Sequence, residues 1–512
     1  MNRADTLLQV NVVDPDFLAL PLLRIADAAL SVARAAGAQH ADVRVHRVRT
    51  ESLMLRDSAV QSAVDASDLG VAVRVLIDGT WGFGSHPDPD PDGAAHAATR
   101  AVTVARALRP LNRDPVEWAP EPVYRDTRWC SDYEIDPFAV PTGEKIAVLI
   151  DYSRRLQGSD GVHHVAAGCE LVKEQSFYAD LAGSSITQQR VRVHPHLEAT
   201  TVDREAGTFE SMRTLAAPTG RGWEYVASDT VWDWSGELAA LPELLAEKAH
   251  APTVTAGPTD LVIDPTNLWL TIHESVGHAT EYDRAIGYEA AYAGTSFATP
   301  DQLGSLRYGS AAMHVTADRT HPHGLATVGF DDDGVAAQSW NLVRDGVLVG
   351  FQLDRAFAAK AGAARSNGCA YADSAHHVPL QRMANVSLQP DPQVDRSTAD
   401  LIGGVEDGLY VVGDRSWSID MQRYNFQFTG QRFYRIRGGR LAGQVRDVAY
   451  QATTTDFWGA LEAVGGRSTW QLGGAMNCGK AQPGQIAAVS HGCPSVLLRQ
   501  IDVLNTRQES GR

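Results

Sequence analysis

Residues 70–85 read GVAVRVLIDGTWGFGS. Val71, Val73, Val75 and Ile77 recur at every second position, Asp78-Gly79 interrupts, and Trp81 and Phe83 resume the alternation. A period of two puts one set of side chains on one face of a pleated strand. A two-residue Asp-Gly connection supplies the left-handed backbone that a tight hairpin needs. The stretch therefore predicts an antiparallel pair turning at residue 78. A second period-two stretch, ADVRVHRV (41–48), predicts another strand before it. Helical patterns stand on both sides, RIADAALSVARAA (24–36) and an alanine-rich run over 94–108. Between hairpin and second helix, SHPDPDPDG (85–93) reads as an exposed loop.

Farther along, 145–156 reads as a helix and 160–235 as strand-like segments broken by Gly, Pro and Asp. GELAALPELLAEKA (236–249) is a third helical pattern. It runs into HAPTVTAGPTD (250–260), whose composition marks it as a linker. Beyond it comes a short apolar strand, LVIDP (261–265), and then hairpins turning on Asp345-Gly346 and Gly438-Gly439. Strands and helices mix without a regular strand–helix–strand alternation. The fold expected is α+β rather than a doubly wound sheet. At 512 residues one core is insufficient. We divide the chain into an N-terminal mixed α+β domain (1–250) and a β-rich C-terminal domain (259–512) carrying the candidate metal site.

Bulk composition narrows the function classes. With 45 basic and 62 acidic residues the net charge is −17, which argues against nucleic acid or an anionic membrane as partner. No apolar run reaches the length of a membrane span. The start, MNRADTLLQVNVVDPD, lacks the basic-then-apolar plan of a signal peptide. Five scattered cysteines do not form a disulfide framework, so a reducing cytoplasm is expected.

Chemistry concentrates in TIHESVGHATEYD (271–283), where His273, Glu274 and His278 combine two imidazoles with a carboxylate. Imidazoles are good Zn²⁺ ligands, and a carboxylate beside them can take a proton from a water. In the familiar H-E-x-x-H spacing the histidines share a helical face. Here they are one residue farther apart. At about 100° per residue, five steps turn the second ring roughly 140° from the first. A metal site therefore requires the helix to distort, by a π-bulge or by ending, and Gly277 is a residue at which it could.

A catalytic zinc normally takes three protein ligands. GGAMNCGKAQPG (473–484) offers Cys478 in what reads as a glycine-rich turn, and VSHGCPS (489–495) offers His491 and Cys493. Spacing alone does not choose between them, or exclude buried structural cysteines. Gly474–Lys480 also fits G-x-x-x-x-G-K, but Ala481 stands where a phosphate loop needs Ser or Thr, so nucleotide binding is not supported. The pairs His163-His164, His194/His196, His321/His323 and His376-His377 read as solvated loops, and Asp331-Asp332-Asp333-Gly334 as a solvated turn. No G-x-S-x-G occurs.

Set together, these segments resemble the TldD/PmbA metallopeptidases. HESVGHATE is similar to the family's H-E-A-V-G-H-x-x-E, Glu281 included. FDDDG (330–334) resembles F-D-D-E-G, and Arg382-Met383-Ala384-Asn385 resembles R-M-T-N. CGK (478–480) followed by HGCP (491–494) resembles the family's C-terminal motif, and GVAVRVLIDGTWGFG its N-terminal one. The order holds from about residue 40 to 505. The resemblance implies that His273, His278 and Cys478 bind Zn²⁺, that Glu274 activates the water, and that Cys493 is not a ligand. It further implies a peptide substrate, and a homodimer or a heterodimer with a paralogue lacking the metal motif. Ser275 departs from the usual Ala, and residues 481–500 diverge from the family's ending. Glu281 and Asp283 are candidate partners of the ligand histidines. Arg382 and Asn385 are candidates for holding substrate, with a buried structural pair as the alternative. An extended substrate is expected to add a strand to a sheet edge. Two rival readings are a non-catalytic regulatory subunit with a closed structural zinc site and a zinc amidohydrolase of small molecules with a closed pocket.

Overall fold

The computed structural model describes residues 12–204 and 207–509. Most of the stretch read for a leader pattern, residues 1–11, lies outside the described residues.

Among the described residues, seven strands form the N-terminal sheet: β1 (His40–Arg56), β2 (Ala59–Ile77), β3 (Thr80–His86), β4 (Thr127–Cys130), β5 (His164–Asp180), β6 (Ser185–Asp203) and β7 (Thr208–Arg213). Their order is β3-β2-β1-β5-β6-β4, with β7 also on β6, and every pairing is antiparallel except β4 on β6. The turn predicted at residue 78 is present, with Asp78 and Gly79 both left-handed (φ 47° and 71°) and Ile77 opposite Thr80.

Helices Leu22–Ala35 and Pro91–Leu108 cover one end of this sheet. The second lies unusually close. A Cβ on Gly82 would stand 1.9 Å from the Ala101 carbonyl, and one on Gly84 2.1 Å from that of Ala97. The W-G-F-G pattern of β3 and the alanines of the helix thus require each other. The Pro-Asp run read as a loop partly belongs to this helix. Asp90 accepts from the Gly93 N–H at 2.8 Å as its N-cap, and Pro91 occupies the first turn, where a missing N–H costs nothing. Helices Thr142–Gln157 and Trp234–His250 pack over the other end of the sheet.

In the C-terminal half, strand β8 (Gly257–Ile263) sits between strands Asp407–Ile419 and Val496–Asn505. Continuing through Val448–Thr453 and Asn425–Arg437, which pairs back onto Asp407–Ile419, the strands close into a ring. The fold is mixed α and β in two domains, with the C-terminal one rich in strands. Residues 250–260 are less free than their composition suggests. Val254 is buried and its N–H donates to the Arg446 carbonyl at 3.0 Å, while 257–260 already belong to β8. No described helix is long and apolar enough to cross a membrane.

The acidic run 331–333 is not a solvated turn. Asp331 and Asp333 are buried, and Arg74 of β2 binds Asp333 at 2.8 Å while Arg44 of β1 binds Asp332. The two arginines supply the countercharge that allows a carboxylate cluster to clasp the two domains together.

Candidate metal centre

Helix Pro265–Ile272 starts cleanly. Asp264 caps it by accepting from the Thr266 N–H at 3.0 Å, and Pro265 fills its first position. At His273 the regular turn gives way to a π-turn over His273–Gly277, followed by a 3₁₀ turn over His278–Thr280. The His278 N–H donates to the His273 carbonyl, so the widened turn is closed by the two histidines themselves. Their rings come to 4.6 Å between centroids. The extra residue between the histidines is absorbed by the backbone, as the spacing required.

Gly277 is needed for a different reason than the sequence suggested. Its backbone is ordinary right-handed helix (φ −55°, ψ −61°). A Cβ there would stand 2.5 Å from Met383 Sδ and 3.5 Å from the His491 ring. Space, not conformational freedom, calls for glycine. Gly277→Ala is expected to cost about 1–3 kcal/mol through overpacking. Met383→Ala should recover most of that loss in a double-mutant cycle of urea unfolding. Additive costs would refute the clash.

The third member comes from the far end of the chain. Cys478 lies in strand Gln471–Lys480, which pairs with Gln485–Cys493 as a two-stranded hairpin. It is on a strand, not in a turn, and a bulge between Ala475 and Cys478 resets its direction. The ligand atoms of His273, His278 and Cys478 lie within 4.8 Å of one another, all buried. Cys478 Sγ is 3.5 Å from His278 Nε2. Two donors on one tetrahedral zinc, with Zn–S about 2.3 Å and Zn–N about 2.0–2.1 Å, are separated by about 3.5–3.6 Å, so this pair fits such an ion.

Hydrogen bonds fix which nitrogen faces the trio. His491 Nδ1 donates to the Val386 carbonyl at 2.8 Å, leaving Nε2 to accept from His273 Nδ1 at 2.7 Å. His273 therefore turns its Nε2 lone pair towards the site. His278 Nδ1 donates to Glu281 Oε2 at 2.7 Å, which frees its Nε2 in the same way. Burial holds His273 below the ordinary imidazole value, and burial with the neighbouring His273 holds His491 well below it, so both are neutral. Burial alone would raise the Cys478 thiol, but the nearby Arg382 guanidinium helps bring it below its usual value. Burial drives Cys493 well above, and its Sγ faces the Pro265 carbonyl at 3.6 Å.

Glu281 is held by more than His278. It also accepts from Arg284 Nε at 2.6 Å and from Lys480 Nζ at 3.0 Å, and Lys480 reaches Asp283 at 2.7 Å. Burial opposes ionisation of Glu281, but Lys480, Arg284 and His278 outweigh it and keep its carboxyl well below the usual range. Asp283 touches Lys480 rather than a histidine of the trio. The lysine of the phosphate-loop look-alike is thus a buried counter-ion to two carboxylates.

Arg382 and Asn385 are both buried, and neither is among the residues lining the cleft beside the trio. Arg382 is buried and donates to the Cys478 and Gln485 carbonyls, pinning both strands of the hairpin. Asn385 is buried too, donating to the Asp318 carbonyl at 2.8 Å and accepting from the Ala326 N–H at 3.0 Å. Ser275 is also built in, donating to the Thr271 carbonyl and accepting from the Trp458 indole.

The trio lines a cleft of about 1100 Å³ between the two domains. His194 and His196 line it from strand β6 rather than from a solvated loop, while His321 and His323 line it from a partly exposed turn, as their sequence context suggested. His163, His164, His376 and His377 stay outside this lining. Trp269, Trp417 and Trp470 add aromatic faces, and Gln471–Gly479 contributes a strand edge with no partner among the described residues. Glu274 lies in the same wall, with Oε2 accepting from Arg423 Nη1 at 2.6 Å. Burial would raise its carboxyl, but the Arg423 guanidinium beside it helps hold it below the ordinary value, so it is an anion. Sequence reasoning missed Arg423 and the linking role of His491, because nothing local in their segments marks them.

The family profile described as the PmbA/TldA metallopeptidase C-terminal domain matches residues 256–505, and that for PmbA/TldA metallopeptidase domain 1 matches 41–105. The chain belongs to the TldD/PmbA family. A curated relative from Methanothermobacter thermautotrophicus named metalloprotease is 27% identical over 494 residues, covering 96% of this chain and 100% of that protein. One from Saccharolobus solfataricus named zinc metalloprotease TldD homolog is 25% identical, covering 53% of this chain and 57% of its own. Among solved structures, TldE from Thermococcus kodakarensis superposes with a TM-score of 0.68 at 16% identity, covering 93% of this chain and 99% of that one. A Thermotoga maritima protein superposes with a TM-score of 0.72 at 17% identity, covering 93% and 99%. At these identities the structural matches speak to the fold.

Proposed function

We propose that this TldD/PmbA member is the catalytic type, a zinc-dependent peptidase that hydrolyses unfolded or flexible peptides. One observation carries the reading: three buried donors suited to zinc meet in a cleft wall beside a glutamate bonded to Arg423. His491 and Cys493, the candidates for a fourth donor, are engaged elsewhere by the bonds described above. An open position suits catalysis, whereas four protein ligands would suit a structural site.

His273, His278 and Cys478 would hold the ion, which when bound supplies a Lewis acid for the scissile carbonyl and a more acidic water. Glu274 takes the proton of the attacking water and returns it to the leaving amine. The free edge of Gln471–Gly479 can pair with an extended peptide backbone, reading main chain rather than sequence. A cleft of about 1100 Å³ also exceeds what a small amidohydrolase substrate would fill. The partner proposed is a second copy or a paralogue without the metal motif. Five free cysteines accord with a reducing cytoplasm.

The test is zinc analysis with peptidase assays on an unfolded protein such as casein. Wild type should carry one zinc per chain and cleave. Cys478→Ser should lose most zinc and all turnover, while Cys493→Ser keeps both. Zinc retained in Cys478→Ser would remove the third ligand. Full zinc without cleavage of any unfolded chain, alone or with a paralogue, would favour the regulatory subunit.

A further inference from the structure

We infer that Arg423 is a catalytic residue that stabilises the oxyanion of the tetrahedral intermediate, taking over the negative charge that Glu274 gives up. The inference rests on the peptidase reading above. Arg423 lines the same cleft as His273, Glu274 and His278. It follows a turn organised by Asp420, whose carboxylate accepts from the Tyr424 N–H at 2.8 Å and the Asn425 N–H at 3.0 Å. Its own carbonyl accepts from Thr454 Oγ1 at 2.8 Å. These bonds hold a left-handed backbone (φ 64°) on a residue with a side chain, a conformation that persists only where its surroundings enforce it. The guanidinium is anchored by Nη2 donating to the Ala293 carbonyl at 3.1 Å and Nη1 donating to Glu274 at 2.6 Å. Nε is buried with no partner among the described residues.

A guanidinium has five N–H donors, and beyond the bonds to Ala293 and Glu274 the others have no partner among the described residues. A general base must stand within hydrogen-bond reach of the water it activates. A cation bonded to that same carboxylate is therefore one side chain away from the reacting carbonyl. The charges then balance through the step. Before attack, Glu274 is an anion paired with Arg423. As the water oxygen bonds to the carbonyl carbon, its proton moves to Glu274 and the carbonyl π pair moves onto oxygen. Glu274 becomes neutral, the new anion lies on the substrate, and Arg423 pairs with it. When the oxyanion collapses, the carbon–nitrogen bond breaks, the amine takes the proton and Glu274 is an anion again. A fixed cation beside the developing charge needs no reorganisation during the step, which is the favourable arrangement for transition-state stabilisation.

The experiment compares wild type with Arg423→Gln and Arg423→Lys, each checked for one zinc per chain. Two readouts are taken: kcat and KM on an unfolded peptide, and affinity for a phosphinic peptide, a stable tetrahedral anion. Oxyanion stabilisation predicts a kcat about 10²–10³-fold lower in Arg423→Gln with KM nearly unchanged. Phosphinic-peptide affinity should fall by a similar factor, and Arg423→Lys should recover part of both. If kcat falls while phosphinic-peptide affinity stays at the wild-type value in both variants, Arg423 only clamps Glu274 and the inference is overturned. If wild type, zinc-loaded, neither cleaves nor binds the phosphinic peptide, the peptidase reading falls and takes this role with it.

Discussion

Glu274→Gln is expected to keep its zinc and lose peptide turnover by about 10²–10⁴-fold. The amide has the shape of the carboxylate, and its oxygen can still accept from Arg423 Nη1, now 2.6 Å from Oε2. What it lacks is basicity. His273 and His278 are oriented by His491 and Glu281, not by Glu274, so their aim survives the change. Metal content and turnover should therefore separate. A variant turning over at the wild-type rate with full zinc would remove Glu274 as the base. A variant that loses zinc as well would show that Glu274 shapes the site.

The largest stability effect is expected for Lys480→Met. Lys480 is 2% exposed and stands between Glu281 and Asp283, both buried, while also donating to the Gln381 carbonyl at 2.8 Å. Methionine fills similar volume but leaves two buried carboxylates short of a cation. Breaking a buried ion pair from one side costs about 3–5 kcal/mol. Urea unfolding should show a loss of that size, and Lys480→Met with Asp283→Asn should regain part of it by removing one stranded charge. Zinc affinity should fall about 10–100-fold as well, because Glu281 positions His278. An unchanged unfolding free energy would mean that the carboxylates are solvated.

Much of the architecture was legible because its signals are local. The hairpin at Asp78-Gly79 and those at 345 and 438 follow from alternation and from residues that tolerate left-handed backbone. The limits of the HESVGH reading were local too. Five steps between histidines cannot face one ion on a regular helix, so a distorted turn was required, and a π-turn is what the fold provides. The errors share a cause as well. The acidic run 331–333 and the His194/His196 pair were judged by composition and Gly277 by backbone freedom, and each owes its role to something distant. Arg44 and Arg74 bury the first, the domain cleft takes in the second, and Met383 crowds the third.

By itself, then, the sequence determined the α+β class, the hairpins, the two histidines with their glutamate, and the need for a bent helix between them. These depend on periodicity, turn chemistry and helix geometry, which act over a few residues. Tertiary structure decided the rest. Cys478 rather than Cys493 stands beside the histidines because a bulge in one strand and Arg382 beneath the hairpin aim it there. His491 bonds to His273 rather than joining the trio, and Arg423 meets Glu274 across 149 positions of chain. Side chains so far apart in sequence are matched only by packing, and no local pattern records that match.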